Sequence, residues 1–305
     1  MELWQSAGLD IPVSVNIGTR QLMQTDFVQS LNSRLKAHPQ VRPGDLELEV
    51  LESSALDSID QLSHVIEACR ELGVNFALDD FGTGYSSLTY LKRLPVSLLK
   101  IDQSFVSGML DDPDDLAILE GVIGLASAFS RRVIAEGVET VAHGAMLLQL
   151  GCEMGQGYGI SGPLKAQDMP GWVAAWRPPA AWRELPAASR DDFPLLASSV
   201  RHRAWMAAFA GFLKGERDMP PRLQLHEHSL RNWIEGVGLA RHASQPAYAF
   251  IETLHQTLHA LAAELSVLNA WGCKAEAQER LGELQGMSDA LLEQLQVLVQ
   301  VDHRL

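Results

Sequence analysis

The chain has 305 residues, 47% hydrophobic and 20% charged, a composition that excludes a disordered or fibrous protein and leaves room for one large domain plus a smaller one. Its 24 basic and 38 acidic side chains give a net charge of -14, so it has no Lys/Arg excess with which to neutralise a nucleic-acid polymer. A small nucleotide held through metal ions stays open.

Cys69, Cys152 and Cys273 are far apart and form no CxxC pair, which points to reduced thiols in a cytoplasmic protein rather than a disulfide framework. No basic and apolar leader opens the sequence, and no apolar run approaches the roughly 18 residues of a spanning helix.

Residues 13 to 175 alternate short apolar or β-branched runs with amphipathic stretches, the pattern of a parallel α/β fold. In chain order the expected strands are "VSVNIG" (13–18), "LELEVLE" (46–52), "NFALDDF" (75–81), "LLKID" (98–102), "RVIAEGV" (132–138) and "GQGYGI" (155–160). Each carries an acid, amide or lysine at or near its C-terminal end: Asn16, Glu49 and Glu52, Asp79 and Asp80, Lys100 and Asp102, Glu136, and Gln156. One carboxylate there could be a helix cap, but six strands repeating the feature match a (β/α)8 barrel, which keeps its active site at that end.

The proline-bearing stretch 177–197 reads as a linker. Beyond it, four apolar-periodic segments at about 198–215, 222–240, 246–270 and 274–300, without strand candidates, predict an all-α four-helix bundle over 198–305.

The motifs "SVNIGTRQL", "LELEVLES", "FALDDFGTGYSSL", "LLKIDQSFV", "VIAEGVET" and "GQGYGISGPL" follow the order and spacing of the EAL family, and over residues 1–176 the chain resembles it. The resemblance implies a modified (β/α)8 barrel. It also implies hydrolysis of one phosphodiester of cyclic di-GMP, giving pGpG, with Mg2+ or Mn2+. Hard divalent cations take oxygen ligands, and an ion between clustered carboxylates makes their closeness favourable.

By motif position, Asn16, Glu49 and Asp79 would hold a first metal, with Asp80 and Glu136 serving a second metal and the attacking water. Glu136 is the implied general base and Lys100 the group that stabilises phosphoryl or water charge, or else a barrel-interior ion pair. Gln156 would sit beside the metal and water, and Glu52 would brace the loop carrying Gly82 and Gly84, which in the family also links the site to dimerisation. A homodimer is therefore expected.

Three departures accompany the match. No strand with the family's E-A/V-L glutamate precedes Asn16, Leu51 stands where Thr is common, and Gly162 stands where a basic residue usually precedes the proline. A barrel of this kind takes about 250 residues. The expectation is therefore a partial barrel lacking its first strands, from a chain that starts inside its own domain.

Seven of the ten histidines lie after residue 176: His202, His226, His228, His242, His255, His259 and His303. His255 and His259 share a helix face at i, i+4, a spacing that suits a metal but usually marks ordinary histidines. "HRAW", "HSLRNWIEGVG", "AFIETLHQTLH" and "SDALLEQL" resemble the chemoreceptor zinc-binding (CZB) family. That resemblance implies Zn2+ on His202, His255 and His259 with a cysteine as fourth ligand.

The cysteine position is Ser229, so His226 or His228 substitutes, water completes the site, or zinc binding is lost. Cys273 lies in the turn before the last helix, and Trp205 and Trp233 read as core residues.

Two function classes follow: a phosphodiesterase regulated by its helical half, or a barrel serving as a cyclic di-GMP receptor or protein-interaction module. On a third reading of the helical half, it is a plain dimerisation bundle.

Overall fold

The computed structural model describes residues 1–55, 59–83, 88–183, 193–221, 230 and 233–301. The chain forms two compact units, Met1–Ser107 with Ile118–Glu184, and Gly108–Ala117 with Leu185–Leu305.

In the first unit, six strands form one sheet in chain order: β1 (Val13–Asn16), β2 (Leu46–Leu51), β3 (Asn75–Phe81), β4 (Leu98–Ile101), β5 (Arg132–Ala135) and β6 (Met154–Gly155). Every pairing is parallel, and β1 and β6 are the edges. The sequence places all six strands but mispositions the last. β6 covers two residues and ends before Gln156, because Gly157–Ile160 folds into a turn whose amides return to Val138 and Gly157 carbonyls.

Side-chain alternation creates two faces. Leu48 and Val50, Phe76 and Leu78, and Leu99 and Ile101 are buried on one. The helix Ile59–Glu71 also buries Leu62, Ile66 and Cys69, a helical-period stripe. A buried aliphatic side chain of this kind contributes about 1.5–3 kcal/mol. The opposite face carries Glu47 and Glu49, Ala77 and Asp79, and Leu98 and Lys100, so apolar burial outside fixes where the charges fall inside.

The expected linker is partly built into this unit. Ala180–Arg183 is helical, and Trp182 donates its indole N–H to the Val141 carbonyl at 2.7 Å. A Cβ at position 144 would fall 2.4 Å from the Trp182 ring, so Gly144 is the residue that lets the indole seat. Residues 184–192 of that expected linker lie outside the described residues.

The second unit is helical. Phe193–Lys214, Pro246–Ala270 and Leu281–Val301 are its long helices, around Trp205, Phe209, Leu213, Leu258, Leu265 and Leu284. The first begins five residues earlier than the sequence suggests. The last segment breaks at Arg280, whose side chain holds Glu264 and Glu283.

Much of the expected helix 222–240 lies outside the described residues. Its end is a π-type turn, Ile234–Gly238, followed by Leu239–His242. The unit also takes in Gly108–Ala117, which the sequence reading gave to the barrel; there Arg203 donates to the Leu110 carbonyl at 2.8 Å. No described helix is long and apolar enough to cross a membrane.

Candidate metal-dependent active site

β2, β3, β4 and the residue after β5 converge on one buried ammonium. Lys100 Nζ lies 2.8 Å from Glu49 Oε2, 2.8 Å from Asp79 Oδ1 and 2.6 Å from Glu136 Oε1. Period-two alternation turns these side chains to the same face, and the parallel register places Glu49 beside Asn16 and Leu51 beside Asp79. Asn16 is exposed on the edge strand, level with Glu49.

Asp80 departs from that rule. On a regular strand it would point away from Asp79, but the pairing of β3 with β4 shifts register between Leu78 and Phe81, and Asp80 has φ 53°. A bulge and a left-handed residue re-aim the backbone, so two consecutive carboxylates reach one place. Such a conformation costs about 1–3 kcal/mol and persists where the surroundings enforce it. The ligand oxygens of Asp79, Asp80 and Glu136 lie within 4.8 Å of one another, the one acid, histidine or cysteine group of that spacing among the described residues.

Electrostatics follow from burial. Desolvation raises the Asp80 carboxyl above its ordinary range, and the negative charges of Asp79 and Asp102 push it the same way. Burial also raises Glu136, opposed by Lys100. Burial alone would lower the Lys100 ammonium, but its hydrogen bonds to Asp79, Glu136 and Glu49 outweigh that and hold it above its usual range.

The surrounding shell is hydrogen bonded to this core. Gln156 donates to Glu136 Oε1 at 2.6 Å, while its own backbone pairs with Ala135 and Val138. Buried Glu52 accepts the Gly82 N–H at 2.9 Å, and Thr83 Oγ1 donates to the Asp80 carbonyl, so the turn after the two aspartates is fixed at both ends. Gly82 has φ 106°, and a Cβ there would lie 2.9 Å from the Phe105 ring. Residues 84–87 of this loop, including Gly84, lie outside the described residues.

Sequence reasoning gave Asp102 no role, although it is two residues past Lys100 and shares its face by alternation. It stands beside Asp80 and accepts the Ser104 N–H at 2.9 Å.

The donor set fits Mg2+ or Mn2+: clustered carboxylate oxygens with an amide oxygen alongside, and no sulfur. Glu49, Asp79, Asp80 and Glu136 form one cluster with Lys100, and Gln156 and Glu52 adjoin it.

The histidines of the helical unit are less tightly gathered. His202, His255 and His259 are buried; His255 and His259 rings lie 4.7 Å apart, and Trp205 stacks near both His202 and His259. Among the described residues their ring nitrogens form no three-ligand group within 4.8 Å, and His202 Nε2 pairs with Ser288 Oγ at 3.0 Å. Three buried imidazoles are donors that Zn2+ takes, and closing on one ion requires His202 to leave Ser288.

His226, His228 and Ser229 lie outside the described residues. Cys273 is exposed, three residues past the end of the helix that carries His259. His242, which has no role in the sequence-based expectations, is buried against Trp233.

Comparisons with known proteins agree with the sheet unit. The bifunctional diguanylate cyclase/cyclic di-GMP phosphodiesterase MucR of Pseudomonas aeruginosa is 39% identical over 175 residues, 57% of this chain and 25% of MucR. The chain spans about a quarter of the length of the curated relatives it matches.

A solved PaMucR phosphodiesterase in complex with c-di-GMP superposes with a TM-score of 0.53 at 39% identity, covering 55% of this chain and 68% of that one. The EAL domain of Mycobacterium smegmatis DcpA gives 0.55 at 38%, covering 58% and 80%. The six-stranded sheet is thus a parallel half-barrel of that fold. The EAL domain model matches residues 1–163, more than half the chain, over the same strands that carry the acidic cluster: the chain belongs to the EAL domain family.

Proposed function

We propose that the sheet unit is a metal-dependent phosphodiesterase that opens cyclic di-GMP to pGpG. The observation that carries this is the buried cluster Glu49, Asp79, Asp80, Glu136 and Lys100 at the C-terminal ends of adjacent parallel strands. Names of relatives and of solved neighbours that are cyclic di-GMP phosphodiesterases support the substrate class.

Asn16, Glu49 and Asp79 would hold one Mg2+ or Mn2+, with Asp80 and Glu136 toward a second. When bound, the cation lowers the pKa of its water and draws charge from the phosphoryl oxygens. Glu136, raised by burial, is placed to accept the proton of the attacking water, and Gln156 fixes its carboxylate. Lys100 offers positive charge to the phosphoryl oxygens as water adds to phosphorus and the P–O bond to the leaving ribose breaks. Glu52 keeps the Asp79–Asp80 turn in place through Gly82.

The test is conversion of cyclic di-GMP to pGpG by the purified chain with Mg2+ or Mn2+. Turnover that Glu136→Gln lowers at least ~100-fold is expected, the usual size of a general-base contribution. Binding without turnover would favour the receptor reading.

The helical unit is proposed as a zinc-responsive regulatory element. Burial of His202, His255 and His259 supports this, and zinc entry would require His202 to rotate off Ser288. One Zn2+ per chain is expected in a chelator-competition titration; retention of that zinc in His255→Ala would sink the zinc assignment.

A further inference from the structure

Lys100 is enclosed by carboxylates. An ammonium has three N–H donors, and three carboxylates, Glu49, Asp79 and Glu136, lie at 2.8, 2.8 and 2.6 Å from its nitrogen. The Lys100 side chain is 6% exposed and those of its partners 8, 11 and 14%, so water contributes little screening. Among the described ion pairs, those of Glu49, Asp79 and Glu136 all end on this one nitrogen. Two of its donors are hydrogen bonded, to Glu49 and Asp79, and Glu136 closes the remaining side as an ion pair, so Lys100 is turned to carboxylates rather than to a phosphoryl oxygen in this arrangement.

A divalent cation bound by the same oxygens supplies the charge that Lys100 now supplies, and repels it. We propose that Lys100 is the resident counter-ion of the metal-free site, and that cation loading displaces at least one of its three carboxylate contacts, freeing an N–H to face the substrate. Metal binding and readiness of Lys100 are then one event. The inference rests on the metal-site reading above and adds a positioning role that operates without substrate.

Two consequences separate this from a fixed structural ion pair. Removing the charge, as in Lys100→Met, leaves the carboxylates uncompensated, so the metal-free protein loses stability and gains affinity for cations. The expected gain is roughly tenfold, about one pKa unit's worth of opposite-charge interaction.

The experiment is calorimetric titration of the full chain with Mn2+, and melting with and without Mg2+, for wild type and Lys100→Met in the absence of cyclic di-GMP. Tighter Mn2+ binding and a larger Mg2+-induced rise in Tm for the variant are expected; equal or weaker binding overturns the proposal. If the variant does not fold, 15N-lysine NMR of the wild type decides. A slowly exchanging ammonium signal that shifts or vanishes on adding Mg2+ supports displacement, and one that stays unchanged refutes it. Failure of the wild type to bind either cation overturns the metal-site reading itself, whereas cation binding indifferent to Lys100 overturns this inference alone.

Discussion

Glu52 shows how one side chain outside the cluster governs it. Its carboxylate caps the Gly82 amide, two residues past the left-handed Asp80. In Glu52→Ala that partly buried N–H loses its acceptor, at about 1–3 kcal/mol. Tm should fall, and turnover should fall about tenfold or more because the Asp79–Asp80 turn loosens. Glu52→Gln retains an acceptor oxygen and should keep most of the stability; parallel melting and turnover assays check both.

The cysteines give a second residue-scale test. Burial pushes the Cys69 and Cys152 thiols up to about 11, while Cys273 is exposed. Since the thiolate is the reactive form, maleimide at pH 8 should label one thiol per native chain and all three after denaturation. For the buried pair the sign is that of a raised acid, so they subtract stability only as pH climbs from 9 toward 11.

Among elements, the turn after β6 packs tightly on the segment that leaves β5. A Cβ on Gly157 would lie 2.4 Å from the Val138 amide nitrogen and 2.5 Å from its carbonyl oxygen, backbone atoms that cannot rotate aside. Gly157→Ala should therefore cost about 1–3 kcal/mol and part the Val138–Gln156 pairing. Turnover should drop along with Tm, because Gln156 leaves Glu136.

Here the sequence was legible in part. Dense apolar runs marked β2, β3 and β4, because strands buried on one face must be apolar at every second position. β6 was misplaced, since "GQGYGI" has the composition of a strand and only the turn hydrogen bonds at Gly157 and Val138 reveal its end. The break at Arg280 was likewise hidden, being tied to Glu264 on another helix.

For the molecule as a whole, each unit has its own core, and a cavity should act where it is made. Phe209 is fully buried among Trp205, Leu213 and Leu258. Phe209→Ala should cost about 3–5 kcal/mol and lower the melting of the helical unit, while the Mg2+-dependent stabilisation of the sheet unit persists; scanning calorimetry with and without Mg2+ reads both.

Sequence alone determined the parallel α/β character of the first half, the helical character of the second and the polar residues at the strand ends. Those follow from local periodicity and from motifs whose residues are neighbours in the chain. Only the tertiary structure decided that Asp80 turns left-handed to join Asp79, that Lys100 is shared by three carboxylates from three other segments, and that Trp182 belongs to the sheet unit. It also decided that His202 pairs with Ser288. The first follows from the register shift between β3 and β4, and the others are contacts between residues distant in sequence; all are set by packing and charge compensation that no local pattern encodes.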